Sequence, residues 1–138
     1  MIAVEPYRED QFGEVDALWR LIFTEDPPHS HADAAIPAKL AVQRDLFLTA
    51  TEHGHVLGTV MGGYDGHRGW IYKLAVHPNA RDCGIGERLV RATEDRLTAL
   101  GCLKINLQVR LTNQAVSAFW KRMGYDVEPL MSMGKRLS

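Results

Sequence analysis

Apolar residues recur along this chain at two spacings, every second position in some segments and every third or fourth in others. The first spacing predicts half-buried strands, the second helices with one buried face. Ile2–Pro6 reads as a short first strand, and Phe12, Val15, Leu18, Trp19 and Ile22 then mark one face of a helix. A breaker-rich loop, Glu25-Asp26-Pro27-Pro28-His29-Ser30-His31, separates it from a short second helix over Ile36–Val42. Leu46, Leu48 and Ala50 alternate with Phe47, Thr49 and Thr51 and predict a strand. Glu52-His53-Gly54-His55 turns the chain into another, Val56–Met61. Four glycines between Gly62 and Gly69 form a hairpin connection to a strand at Trp70–Val76.

The second half repeats the alternation of element types. Ile85, Leu89, Thr93, Leu97 and Leu100 mark a long helix stopped by Gly101. Ile105, Leu107 and Val109 alternate with polar residues and predict a strand. Ala115, Phe119 and Met123 mark a further helix, stopped by Gly124, and Tyr125–Val127 and Met131–Leu137 are predicted final strands. The order predicts an α/β (α+β) sheet with helices packed on it, in a single domain over residues 1–138.

Composition narrows the class. With 46% apolar and 24% charged residues in 138, the chain is a globular protein with a sizeable core. No apolar stretch approaches the roughly 20 residues that span a bilayer, and Met1–Glu5 lacks a secretory pattern. Two cysteines, Cys83 and Cys102, read as reduced thiols, which predicts a cytoplasmic protein. The net charge of −1 hides a division: residues 1–69 carry five basic and eleven acidic side chains, and residues 70–138 eleven and six. An anionic ligand is therefore expected on the second half and a cationic one on the first. Asp82, Glu87, Glu94 and Asp95 interrupt the basic residues, so neither nucleic acid nor a membrane is expected as a partner. His29-x-His31 and His53-x-His55 lack a third ligand at a suitable spacing, and no metal is expected.

The candidate chemistry lies at Arg81-Asp82-Cys83-Gly84-Ile85-Gly86, between a strand and a long helix. Such a turn leaves backbone N–H groups directed outward at the positive end of a helix dipole, where a pyrophosphate docks. Leu74-Ala75-Val76-His77-Pro78 precedes it, and Asn113 with Phe119-Trp120-Lys121-Arg122-Met123-Gly124-Tyr125 follows. In this order the three patterns resemble the acetyl-CoA motifs of the GNAT N-acetyltransferase superfamily. Val60–Gly69 and Gly134-Lys135-Arg136-Leu137 look like the small stand-alone bacterial members of it.

The resemblance implies a mixed, mostly antiparallel sheet of 6–7 strands with a splayed central pair, flanked by about four helices. It implies acetyl-CoA as co-substrate, with Leu74, Ala75 and Val76 along its pantetheine arm and the Val76 N–H on the thioester oxygen. The amides of Asp82, Cys83, Gly84, Ile85, Gly86 and Glu87 would hold the pyrophosphate, with Arg81 or Arg88 on its oxygens. Asn113 would bond near the sulfur, and Phe119 and Trp120 would wall the channel; Asn113 is equally a plausible helix N-cap. Asp82 stands where the family commonly has glycine, and Trp120 where many members have a tyrosine acid. His67 and Asp65 are the candidates for a general base, with Glu52 a third, and a dedicated base is not required if the bound amine is desolvated. The expected acceptor is a primary amine received on the acidic first half, by a monomer or homodimer. The rival readings are a non-catalytic acyl-CoA-binding module and a Rossmann-type dinucleotide domain. The latter lacks its third glycine, since Leu89 stands there.

Overall fold

A computed structural model describes residues 1–138. Their contacts group them into two units, Met1–Leu107 and Gln108–Ser138. The first holds one five-stranded sheet in the order β1-β2-β3-β4-β5: β1 (Ala3–Pro6), β2 (Phe47–Glu52), β3 (His55–Tyr64), β4 (Gly69–Val76) and β5 (Ile105–Asn106). The first four strands run antiparallel to their neighbours, and β5 is parallel to β4. The helices of this unit are α1 (Phe12–Ile22), α2 (Ala32–Leu40) and α3 (Ile85–Ala99); α4 (Gln114–Arg122) belongs to the second. No helix is long and apolar enough to cross a membrane.

The two-residue period sorts β3 between two cores. Thr59 and Met61 face α1, where Val15, Leu18, Trp19, Ile36, Phe47 and Ala75 pack with Met61. Gly58 and Gly62 face α3, whose Ile85, Leu89, Val90, Thr93 and Leu97 are all buried. Each large apolar side chain so buried stabilises the fold by about 1.5–3 kcal/mol. Strand β4 and the helix both come so close that a Cβ on Gly58 would lie 2.8 Å from the Ala75 carbonyl oxygen, 3.1 Å from Leu89 Cδ1 and 3.2 Å from Ile85 Cγ2. Because the nearest of these is backbone, it has little room to move aside. Gly58→Ala is expected to cost about 1–3 kcal/mol in urea unfolding.

Both long-helix stops follow from glycines in the left-handed region. At Gly101 (φ 91°) the Cys102 N–H donates to the Leu97 carbonyl and the Gly101 N–H to that of Thr98. At Gly124 (φ 96°) the Tyr125 N–H donates to Trp120 and the Gly124 N–H to Lys121. These are Schellman closures, which bring together the residues flanking the bonds. Hence the Trp120 and Tyr125 rings meet edge-on at 5.2 Å.

Three expectations are corrected. The sheet has five strands, not 6–7: Tyr125–Val127 and Met131–Leu137 form none, and β5 stops at Asn106 rather than reaching Val109. Alternation fixes which side of a strand would be apolar, but a strand also needs a neighbouring ladder. The tail makes none, and Val127, Leu130, Met131, Met133 and Leu137 are exposed. The second helix begins at Ala32, four residues before the predicted start, with Pro37 inside it at the cost of one intrahelical bond. Finally, β3 runs on to Tyr64, so the hairpin turn is only Asp65–Arg68.

Candidate functional site

The site begins with an irregularity in β4. Thr59 pairs with Ala75 and Met61 with Tyr72, so Lys73 and Leu74 together oppose Val60 alone. This is a β-bulge, and Lys73 occupies it with φ 56°. A left-handed conformation costs a non-glycine residue about 1–2 kcal/mol.

The bulge inverts the strand. Gly69 faces α3, where a Cβ would meet Leu97 and Cys102, and regular alternation would send Ala75 the same way. Ala75 instead packs in the α1 core. The hydrogen-bonding edges exchange in the same manner. The Gly69 N–H donates to Lys104 on the β5 side, 2.9 Å, whereas the His77 N–H donates to Leu57 on the β3 side, 2.8 Å. The Val76 N–H, adjacent to that of His77, therefore faces away from β3. On that side β5 pairs only with Gly69 and Trp70, so the ladder has already ended. Within the first unit, the Val76 amide thus lies beyond the last paired residue of the β4–β5 ladder.

The glycine turn follows directly. Asp82 (φ 65°) and Gly84 (φ 74°) are both left-handed, and α3 starts at Ile85 with no side chain capping it. Only from Arg88, whose N–H donates to Gly84 at 3.1 Å, does the helical ladder begin. The amides of Ile85, Gly86 and Glu87 thus lie outside it. The positive φ at 82 explains why glycine suits that position, and aspartate is among the residues that tolerate it. Ile85 is buried and offers only its backbone. Of the two candidate arginines, Arg88 is turned to the residue before β1, its Nη1 donating to the Ile2 carbonyl at 2.8 Å. Arg81 and Cys83 are exposed, the latter with Sγ 3.6 Å from the Arg81 oxygen.

On the α1 side of β4 lies a cleft of about 210 Å³, lined by Trp19, Phe23, Thr24, Asp26, His31 and Lys73 among others. Its acids hold internal cations: Asp26 pairs with Lys73, and Asp16 with Arg20 at 3.1 Å. The second unit carries the remaining motif residues. Asn113 precedes α4 without capping it, so the N-cap role is not used. Trp120 is buried, with Phe119 edge-on at 5.1 Å.

Residues 13–125 match the acetyltransferase (GNAT) family. The chain belongs to this family. It is 42% identical over 135 residues to an acetyltransferase of Sodalis glossinidius, covering 97% of this chain and 94% of that one. Among solved structures, Ard1 from Thermoplasma volcanium superposes with a TM-score of 0.83 at 22% identity, over 92% of this chain and 84% of that one. An aminoglycoside N-acetyltransferase, AAC(6')-Iy, in complex with CoA gives 0.78 at 14% identity, over 100% and 96%. The protein is therefore an acyltransferase with a GNAT fold.

Within this acetyltransferase the base candidates stand apart from Val76. Asp65 Oδ1 accepts from the backbone of Arg68 (2.7 Å) and His67 (2.8 Å). Those two bonds, Arg68 first, hold its carboxyl below the usual carboxylate range. It closes a turn, and His67 sits in the same turn, roughly 20 Å of strand away from Val76. Glu52 lies at the β2–β3 hairpin on the terminal ammonium, 3.2 Å. Both side chains thus stand at the opposite end of β4 from Val76. Asp65→Asn and His67→Ala are expected to leave kcat within about twofold, read by CoA release, whereas a true base would contribute about 10²–10⁴. The sequence reading missed Lys73, Thr59 and Trp19, the residues gathered at the bulge; the lysine inside an apolar strand was their only signal.

Proposed function

We propose that this acetyltransferase moves the acetyl group of acetyl-CoA to a primary amine, by direct attack within a ternary complex. The observation that carries the reading is the inverted edge of β4, which presents the Val76 N–H beside the end of a ladder. A thioester carbonyl laid along that edge would accept from Val76 as charge builds on its oxygen, and a fixed donor there is worth about 2.7–4 kcal/mol. The residues present suit the rest of acetyl-CoA. Amides from Asp82 to Glu87 at the start of an uncapped helix fit a pyrophosphate, and Arg81 is the arginine left to serve it. Leu74 and Ala75 would follow the pantetheine arm. Asn113, Phe119 and Trp120 are assigned to acyl-CoA by the family motif alone.

The proton balance favours an amine that arrives desolvated. At neutral pH a thiolate leaving group of pKa near 8.5 lies about 1.5 units high, roughly 2 kcal/mol. An amine of pKa near 10.4 must first lose a proton, at a cost of about 4–5 kcal/mol. The absence of a tyrosine at Trp120 thus bears on the smaller demand. The larger one is lowered when the amine leaves water for the cleft beside Trp19 and Phe23, whose acids are already paired with Lys73 and Arg20. Cys83 makes a poor acyl carrier, since it is exposed within the phosphate turn.

The test is a CoA-release screen of acetyl-CoA against a panel of primary amines, with the products identified by mass. The reading expects amide formation matched one to one by CoA. Release without amide, or an acetylated Cys83 as obligatory intermediate, would overturn it.

A further inference from the structure

Two independent restraints converge on Lys73, the strained residue of the bulge. One acts on its main chain: the Thr59 hydroxyl donates to the Lys73 carbonyl at 2.9 Å and accepts from Trp19 Nε1, also at 2.9 Å. Thr59 is fully buried and Trp19 nearly so. The other acts on its side chain: the ammonium pairs with Asp26 and lies over the rings of Trp19 (4.9 Å) and Phe23 (4.7 Å). Both partners of that ion pair are largely shielded from water, with 11% and 15% of their side chains exposed.

We propose that Trp19, Thr59 and Asp26 form a latch on Lys73, which makes Lys73 a positioning residue joining the acceptor cleft to the Val76 amide. The inference rests on the reading that Val76 assists acyl transfer. The main-chain half of the latch holds the bulge, and with it the edge toward which Val76 points. Were the bulge removed by a one-residue shift of register, the Val76 N–H would return toward β3. The side-chain half holds the loop containing Asp26 against β4 and so shapes the cleft that receives the amine. The two halves meet at Trp19, whose N–H serves one and whose ring serves the other.

The halves make different predictions. Thr59→Val keeps the shape of the side chain but removes both hydrogen bonds. It is expected to lower kcat about tenfold or more, because small displacements of reacting groups carry large rate penalties, with acetyl-CoA affinity retained. Lys73→Gly removes the ammonium but accepts positive φ without strain. It should raise the KM for the amine about tenfold with little change in kcat, and Lys73→Arg should restore most of that KM. The double variant Thr59→Val/Lys73→Gly should recover kcat relative to Thr59→Val, since glycine holds the bulge unaided.

A purely structural role predicts lowered Tm in every variant with no such division. The proposal is overturned if Thr59→Val lowers Tm and leaves kcat intact, or if glycine at 73 fails to restore kcat in the double variant. Should Thr59→Val not fold, Lys73→Met, which keeps the strain and loses the ion pair, must raise the amine KM for the proposal to stand. Failure of the underlying reading is distinguishable, because removal of the Val76 N–H would then leave kcat unchanged.

Discussion

Replacing Val76 by proline is expected to lower kcat about 10²–10³-fold while acetyl-CoA still binds. The substitution removes one backbone N–H and preserves a side chain of similar size. In most strand positions it would also break the sheet, since proline cannot donate to a ladder. At Val76 the N–H faces away from β3, and the neighbouring bond that holds the strand end, from the His77 N–H to the Leu57 carbonyl, persists. The loss is thereby confined to the group assigned to the thioester oxygen. Steady-state kinetics beside a calorimetric titration of acetyl-CoA separates the two effects. An unchanged kcat with intact folding would remove Val76 from the mechanism.

The second large effect is expected at Gly84. Its φ of 74° lies where a β-branched residue is strained by about 1–2 kcal/mol, and it stands at the mouth of α3 where the diphosphate would lie. Gly84→Val should therefore lose both stability and acetyl-CoA affinity, the latter at least about tenfold through displaced amides. Gly101 supplies the control. It has a comparable φ of 91° and equally open surroundings, but it lies at the other end of the same helix. Gly101→Val should lose a similar amount of stability and keep its affinity. Equal losses of affinity in both would mean that strain in α3, and not the turn itself, governs binding.

What could be read in the chain depended on how local its cause was. The stripe Ile85–Leu89–Thr93–Leu97 and the stop at Gly101 were legible because helix period and left-handed glycine are local properties. The glycine turn at the mouth of α3 was legible for the same reason, as its glycine and the helix start are contiguous. The final strands were not, because Met131–Leu137 has the alternation of a strand and no ladder to join. The bulge was hidden as well. No glycine marks Lys73, and its left-handed backbone depends on a hydroxyl fourteen residues earlier and an indole on another element. Asp65 and His67 were ambiguous in sequence, because a turn aspartate and a nearby histidine look alike whether they serve a substrate or a hairpin. The structure adds that Asp65 Oδ1 accepts two backbone bonds within the turn.

The charge division was half informative. Acids of the first half do line the cleft beside β4, yet Asp26 and Asp16 are paired with Lys73 and Arg20. The expected attraction for a cationic acceptor is thus largely balanced within the protein. Under the proposed function, shape and desolvation would select the amine.

The most direct test is an amide-resolved NMR titration of the isotopically labelled protein with CoA. The account predicts saturable shifts concentrated at the N–H groups of Val76 and of residues 82–87, with the amides of the Asp65–Arg68 turn unmoved. Saturable binding that perturbs other amides and leaves these silent would contradict it.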